Sequence, residues 1–95
     1  MAQDRITINH LRRQVDNLNK LTGNPPKPYS DGKAQIGNYH IDQAYGGYAL
    51  EQTVNSGGGV TQLFSSGHIP ARRLYELIRA YVDGLEARHT EGVIS

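Results

Sequence analysis

The stretch 38–60, NYHIDQAYGGYALEQTVNSGGGV, constrains this chain most, because apolar and polar residues alternate on both sides of a Gly-Gly pair and then run into three more glycines. Alternation with period two sends successive side chains to opposite faces of a strand, and a glycine pair between two such runs suits a tight hairpin turn. Centring the turn on Gly46-Gly47 pairs Tyr45 with Tyr48, Gln43 with Leu50, Ile41 with Gln52 and Tyr39 with Val54. One face then carries Tyr39, Ile41, Tyr45, Tyr48, Leu50 and Val54 and needs a core to cover it. The other carries Asn38, His40, Asp42, Ala44, Ala49, Glu51, Thr53 and Asn55, with Asp42 directly across from Glu51, an unfavourable pairing of like charges.

Before the hairpin, Ile8, Leu11, Val15 and Leu18 fall at spacings of three, four and three, which predicts an amphipathic helix over 8–22 with a narrow apolar seam. Thr7 or Asp4 can cap its start, and Gly23-Asn24-Pro25 stops it. A free helix of this length is marginal in water, so the seam must dock. β-branched residues and leucines alternating along it favour pairing between subunits over packing on the chain's own sheet. Residues 24–33, NPPKPYSDGK, form a stiff proline-rich loop with a turn at Ser30-Asp31-Gly32.

Beyond the hairpin, 55–59 reads as a mobile glycine-rich turn into a third strand, Val60 to Phe64. It lacks the Gly-Lys-Ser/Thr of a phosphate-binding loop and the spaced glycines of a dinucleotide fold. Pro70 opens a second helix over 70–86, with Leu74, Leu77, Ile78, Tyr81, Val82 and Leu85 as a broad stripe that covers the hairpin; 87–95 reads as a frayed tail. The expected fold is therefore α+β: helix, three-stranded antiparallel sheet within 35–64, and a helix packed on it, in one domain.

A chain of 95 residues buries only a modest core, so a homodimer or higher oligomer is expected. The net charge of +1 gives little general attraction to nucleic acid, and no apolar run is long enough to span a membrane. The absence of cysteine excludes thiolate metal sites and a cysteine nucleophile and suits a reducing cytoplasm.

Three groups of residues carry candidate chemistry. Ser65, Ser66 and His68 precede the helix start at Pro70, where free backbone N–H groups and the helix dipole favour an anion, and Arg72 and Arg73 add positive charge where the dipole alone would prefer acids. The bland alternative is a surface pair of Arg72 with Glu76. His40, Asp42 and Glu51 lie within cross-strand reach of one another, but without a third strong ligand at fixed spacing a solvated pair is the simpler reading and no metal is expected. Six tyrosines are present; most fall on apolar faces, while Tyr29 and Tyr45 or Tyr48 are candidates for stacking on a base. No nucleophile elbow surrounds the serines, and no catalytic residue or cofactor is expected.

The run from the helix through Leu21-Thr22-Gly23-Asn24-Pro25, then Gly37-Asn38-Tyr39-His40-Ile41-Asp42, Ala44-Tyr45-Gly46-Gly47-Tyr48, Gly58-Gly59-Val60 and Pro70-Ala71-Arg72-Arg73-Leu74-Tyr75, resembles a group of small tailed-phage and prophage proteins. The resemblance implies expression in the cytoplasm of a bacterial host and assigns no catalytic residue. Together with the anion-friendly helix start it leads to an expected function. The chain would be a non-enzymatic phage accessory protein that sequesters a phosphate-bearing ligand, such as a nucleotide immune signal, at a subunit interface. Arg72, Arg73, Ser65, Ser66 and His68 would hold the phosphates and Tyr45 or Tyr48 the base. The alternatives are a protein-binding inhibitor of a host protein, using the polar hairpin face and the glycine loop, and then nucleic-acid binding.

Overall fold

The computed structural model describes residues 5–94, with side chains over 5–88. Its elements are α1 (Ile8–Thr22), β1 (Tyr29–Ser30), β2 (Lys33–Ala34), β3 (Tyr39–Ala44), β4 (Gly47–Thr53), β5 (Val60–Gln62) and α2 (Ala71–Ile94). β3, β4 and β5 form an antiparallel sheet in that order, and β1 and β2 form a separate small ribbon. The α+β architecture follows the sequence expectation of two helices and a three-stranded sheet.

α1 starts and stops where its local chemistry dictates. The Thr7 backbone N–H donates to His10 Nδ1 at 3.0 Å, and Gly23 ends the helix with φ 73°, its N–H reaching Lys20 O. Its seam is consumed inside the chain. Leu11, Val15 and Leu18 are buried with Tyr39, Leu50, Leu74 and Ile78 in one core. This corrects the expectation of a seam between subunits: α1 packs against both α2 and β3 of its own chain. With two elements to dock on, the narrow stripe has no surface left to offer a partner helix.

The hairpin turns one residue earlier than expected. Tyr45 and Gly46 are its central residues, at φ 55° and 76°, and the register pairs Tyr39 with Gln52, Ile41 with Leu50, Gln43 with Tyr48 and Ala44 with Gly47. Moving the turn by one residue moves every pair by two, which leaves the paired strand residues on their expected faces. Tyr45, expected on the core face, instead becomes an exposed turn residue, and Val54, expected there too, is exposed beyond the end of β4. Tyr39, Ile41, Tyr48 and Leu50 therefore still meet the core. Asp31-Gly32 repeats the device in the β1–β2 ribbon, with φ 53° and 77°.

α2 does not stop near residue 86 to leave a tail; its backbone stays helical to Ile94. Gly84 meets no obstruction and does not break it. Leu74 and Ile78 carry the helix onto the core, and Phe64 packs edge-on against Tyr81 with centroids 5.9 Å apart.

Candidate functional site

The outer edge of β4 is occupied twice. Leu63 N–H donates to Leu50 O at 2.9 Å as β5 ends; the chain then leaves the sheet and returns at Ile69, which exchanges two backbone bonds with Tyr48 at 2.8 and 2.9 Å. The excursion is built from left-handed residues: Phe64, Ser65 and Gly67 have φ 71°, 51° and 70°. It lays the backbone of His68 and Ile69 against Gly47, where an added Cβ would stand 2.9 Å from both. With no side chain at Gly47 and only a methyl at Ala49, the His68 ring crosses β4, and its Nε2 lies 2.6 Å from Asp42 Oδ2 on β3. The same ring meets Tyr45 edge-on at 5.7 Å.

The polar hairpin face thereby resolves into two histidine–carboxylate pairs rather than a pair of opposed acids. His40 stands opposite Glu51, with Nε2 to Oε1 at 3.4 Å, and its Nδ1 is 3.1 Å from Asn38 Oδ1. Asp42 faces Ala49 and takes His68. The like-charge pairing expected from the sequence disappears with the register shift. Among the described residues no group of three or more His, Asp or Glu is placed to hold a metal.

The residues expected to bind a ligand are distributed as follows. His68 and Tyr45 come together at the hairpin tip, where Tyr45 is 97% exposed. Tyr48 lies on the other face, packed against the core. Ser65 is exposed; Ser66 Oγ donates to Gly67 O at 3.0 Å and Gly67 N–H donates to Gln62 Oε1 at 2.8 Å, so the loop bonds largely to itself. Arg72 and Arg73 are exposed in the first turn of α2, and Arg73 Nη1 is 3.8 Å from Glu76 Oε1. The glycine loop is ordered by Asn55, whose Oδ1 accepts from Gly57 and Gly59 N–H at 3.0 and 2.9 Å while its carbonyl accepts from Gly58 N–H at 3.2 Å. Those three donors are engaged, which is the opposite of an anion cradle.

Two further surfaces emerge only in the fold, although Tyr29, in the first, and Pro28, in the second, lie in the proline loop that the sequence offers as the rim of a ligand site. Tyr29, Ile36, Val54 and Val60 are all strongly exposed. They gather at the end of the sheet away from the hairpin tip. Gly37 N–H bonds Thr53 O, Val60 pairs with Thr53, Val54 N–H bonds Gly59 O, and the Tyr29 hydroxyl lies against Gly58. The second is an open groove of about 180 Å³ between α1 and β3, lined by Val15, Pro26, Pro28, Tyr39 and Ile41, with Arg12 and Asp16 on its rim. Asn38, buried, ties the proline loop to β3 by donating to Pro25 O at 2.9 Å. Burial, followed by the neighbouring Tyr81 phenol, pushes the Tyr39 hydroxyl up to about 12.

Compared with known proteins, the chain matches no family model, no curated protein and no solved structure. Among the described residues no helix is long and apolar enough to cross a membrane.

Proposed function

We propose that this chain is a non-enzymatic protein-binding module, acting on a host protein in the bacterial cytoplasm as its resemblance to small phage proteins suggests. The observation that carries the reading is the exposed apolar end of the sheet, where Tyr29 and Ile36 are each 56% accessible, Val54 48% and Val60 44%. Four exposed apolar residues brought to one end of a small sheet, Val60 on the Thr53 face and Val54 on the opposite one, beside a loop bonded to Asn55, offer apolar surface to a partner that wraps this end. Replacing Ile36 or Val54 by Asp leaves the core intact, because neither belongs to it. In a pull-down from bacterial lysate the wild-type chain is expected to retain a stoichiometric partner that I36D and V54D lose and R72A/R73A keeps. A partner held equally by all these variants overturns the reading.

A second reading, capture of a phosphate-bearing ligand such as a nucleotide at a subunit interface, is favoured by one observation, the exposed Tyr45 ring packed edge-on against His68, whose chain segment also carries Ser65 and Ser66. In this reading a base stacks on Tyr45, and Arg72 and Arg73 of the same or a second copy hold the phosphates. Calorimetry with cyclic and linear nucleotides tests it: heat that Y45A abolishes supports capture, and no heat removes it.

A further inference from the structure

The alternation of hydrogen bonds in the sheet identifies which backbone groups remain open. Thr53 exchanges bonds with Asn38 and Gly37, and Leu50 accepts from Leu63 on the other side, so the odd residues of β4 bond β3 and the even ones bond β5. By the same alternation the N–H and C=O groups of Tyr39, Ile41 and Gln43 point away from β4, to the outer edge of β3. Tyr39 is satisfied there by Asn19, which donates to its carbonyl at 3.0 Å and accepts from its N–H at 2.8 Å. Ile41 and Gln43 have no such partner among the described residues. The groove between α1 and β3 runs beside this edge and includes Ile41.

We propose that this groove takes an extended peptide segment of another protein as a strand added to the β3 edge. Two open donors and two open acceptors at alternate residues are matched by a polypeptide backbone and by little else. Asn19 already fills the first position of that ladder, so the added strand begins where Asn19 ends. One of its side chains on the core side enters the groove among Val15, Pro26, Pro28 and Ile41, whose volume suits a single large apolar residue. Arg12 and Asp16 on the rim are of opposite sign, so recognition rests on backbone and apolar contacts rather than on charge. A second copy of this chain fits less well. Symmetric pairing that satisfies Ile41 and Gln43 in both copies must centre on Asp42 and sets the two Asp42 side chains directly opposite each other. Centring on Ile41 meets Asn19 at Tyr39, and centring on Gln43 requires Tyr45, which is already turned to φ 55°. The proposal rests on the protein-binding reading but not on the apolar end of the sheet.

The test uses the full chain labelled for NMR and a displayed library of random linear peptides. A selected peptide is expected to slow exchange of the Ile41 and Gln43 amides about tenfold or more and to lose binding when alternate residues are N-methylated. Its affinity is expected to change less than about threefold between low and high salt. Gln43→Pro removes an outward N–H from an edge strand and should weaken binding about tenfold, while Gln43→Thr binds as the wild type does. Should the proline variant fail to fold, the N-methylated peptides carry the same test. Selected peptides that protect the residues around Ile36 and Val54 instead overturn the groove while leaving the protein-binding reading in place. Protection of Ile41 and Gln43 that rises with chain concentration alone overturns it in favour of a second copy. A library that yields no peptide also overturns it, and the lysate experiment then decides the broader reading separately.

Discussion

Asn19 closes on the backbone of Tyr39 from both sides, its amide nitrogen donating to the carbonyl at 3.0 Å and its oxygen accepting the N–H at 2.8 Å. A helix side chain thus imitates a neighbouring strand for one residue. Both partners are buried, so truncation strands two backbone groups away from water. Asn19→Ala is expected to cost about 2–4 kcal/mol, more than an exposed hydrogen bond would. Asn19→Asp keeps the acceptor only and should fall in the same range. Urea denaturation measures both.

The two glycines of the hairpin do different jobs, and substitution separates them. Gly46 has φ 76° and open space around it, so Gly46→Ala costs about 1 kcal/mol of backbone strain. Gly47 has no positive φ, but its Cβ would press on the backbone of His68 and Ile69. Gly47→Ala is expected to cost about 1–3 kcal/mol and to separate Ile69 from Tyr48, which amide exchange at Ile69 reads directly.

His68 and Asp42 form the shortest side-chain contact across the sheet, at 2.6 Å. Both are partly exposed, so His68→Ala should lower stability by about 1 kcal/mol. A double-mutant cycle with Asp42→Asn is expected to show coupling, whereas one pairing His68 with Glu51 should not, since Glu51 is matched to His40.

Leu18 is fully buried within its own chain. Leu18→Ala should cost about 2–5 kcal/mol, and the melting temperature should fall at every protein concentration by the same amount. A loss that vanished at high concentration would place the seam between subunits instead.

Tyr39 sets an alkaline limit. Its hydroxyl is held up to about 12, against 10.0 for the free side chain, by burial first and the Tyr81 phenol second. As pH rises through this interval the unfolded chain releases the proton and the folded one keeps it, so the stability contribution is complete below pH 10 and is lost toward pH 12. Denaturation midpoints should therefore fall over that window, and less steeply for Tyr39→Phe than for the wild type.

Features set by local chemistry could be read along the chain. The seam spacing with Thr7 and Gly23 bounds α1 at Ile8–Thr22, and strand alternation sends Tyr39, Ile41, Tyr48 and Leu50 to one face whichever residue turns the hairpin. Tertiary structure decided everything that depends on residues far apart in the chain. Tyr45 accepts the left-handed turn so that Gly47 can lie under His68, and that displacement gives Asp42 to His68 and Glu51 to His40. The seam went to the chain's own sheet and α2 because both offered apolar surface at no loss of association entropy. The open edge at Ile41 and Gln43 was invisible for the same reason: it exists only because Asn19 covers one position of β3 and nothing among the described residues covers the next two.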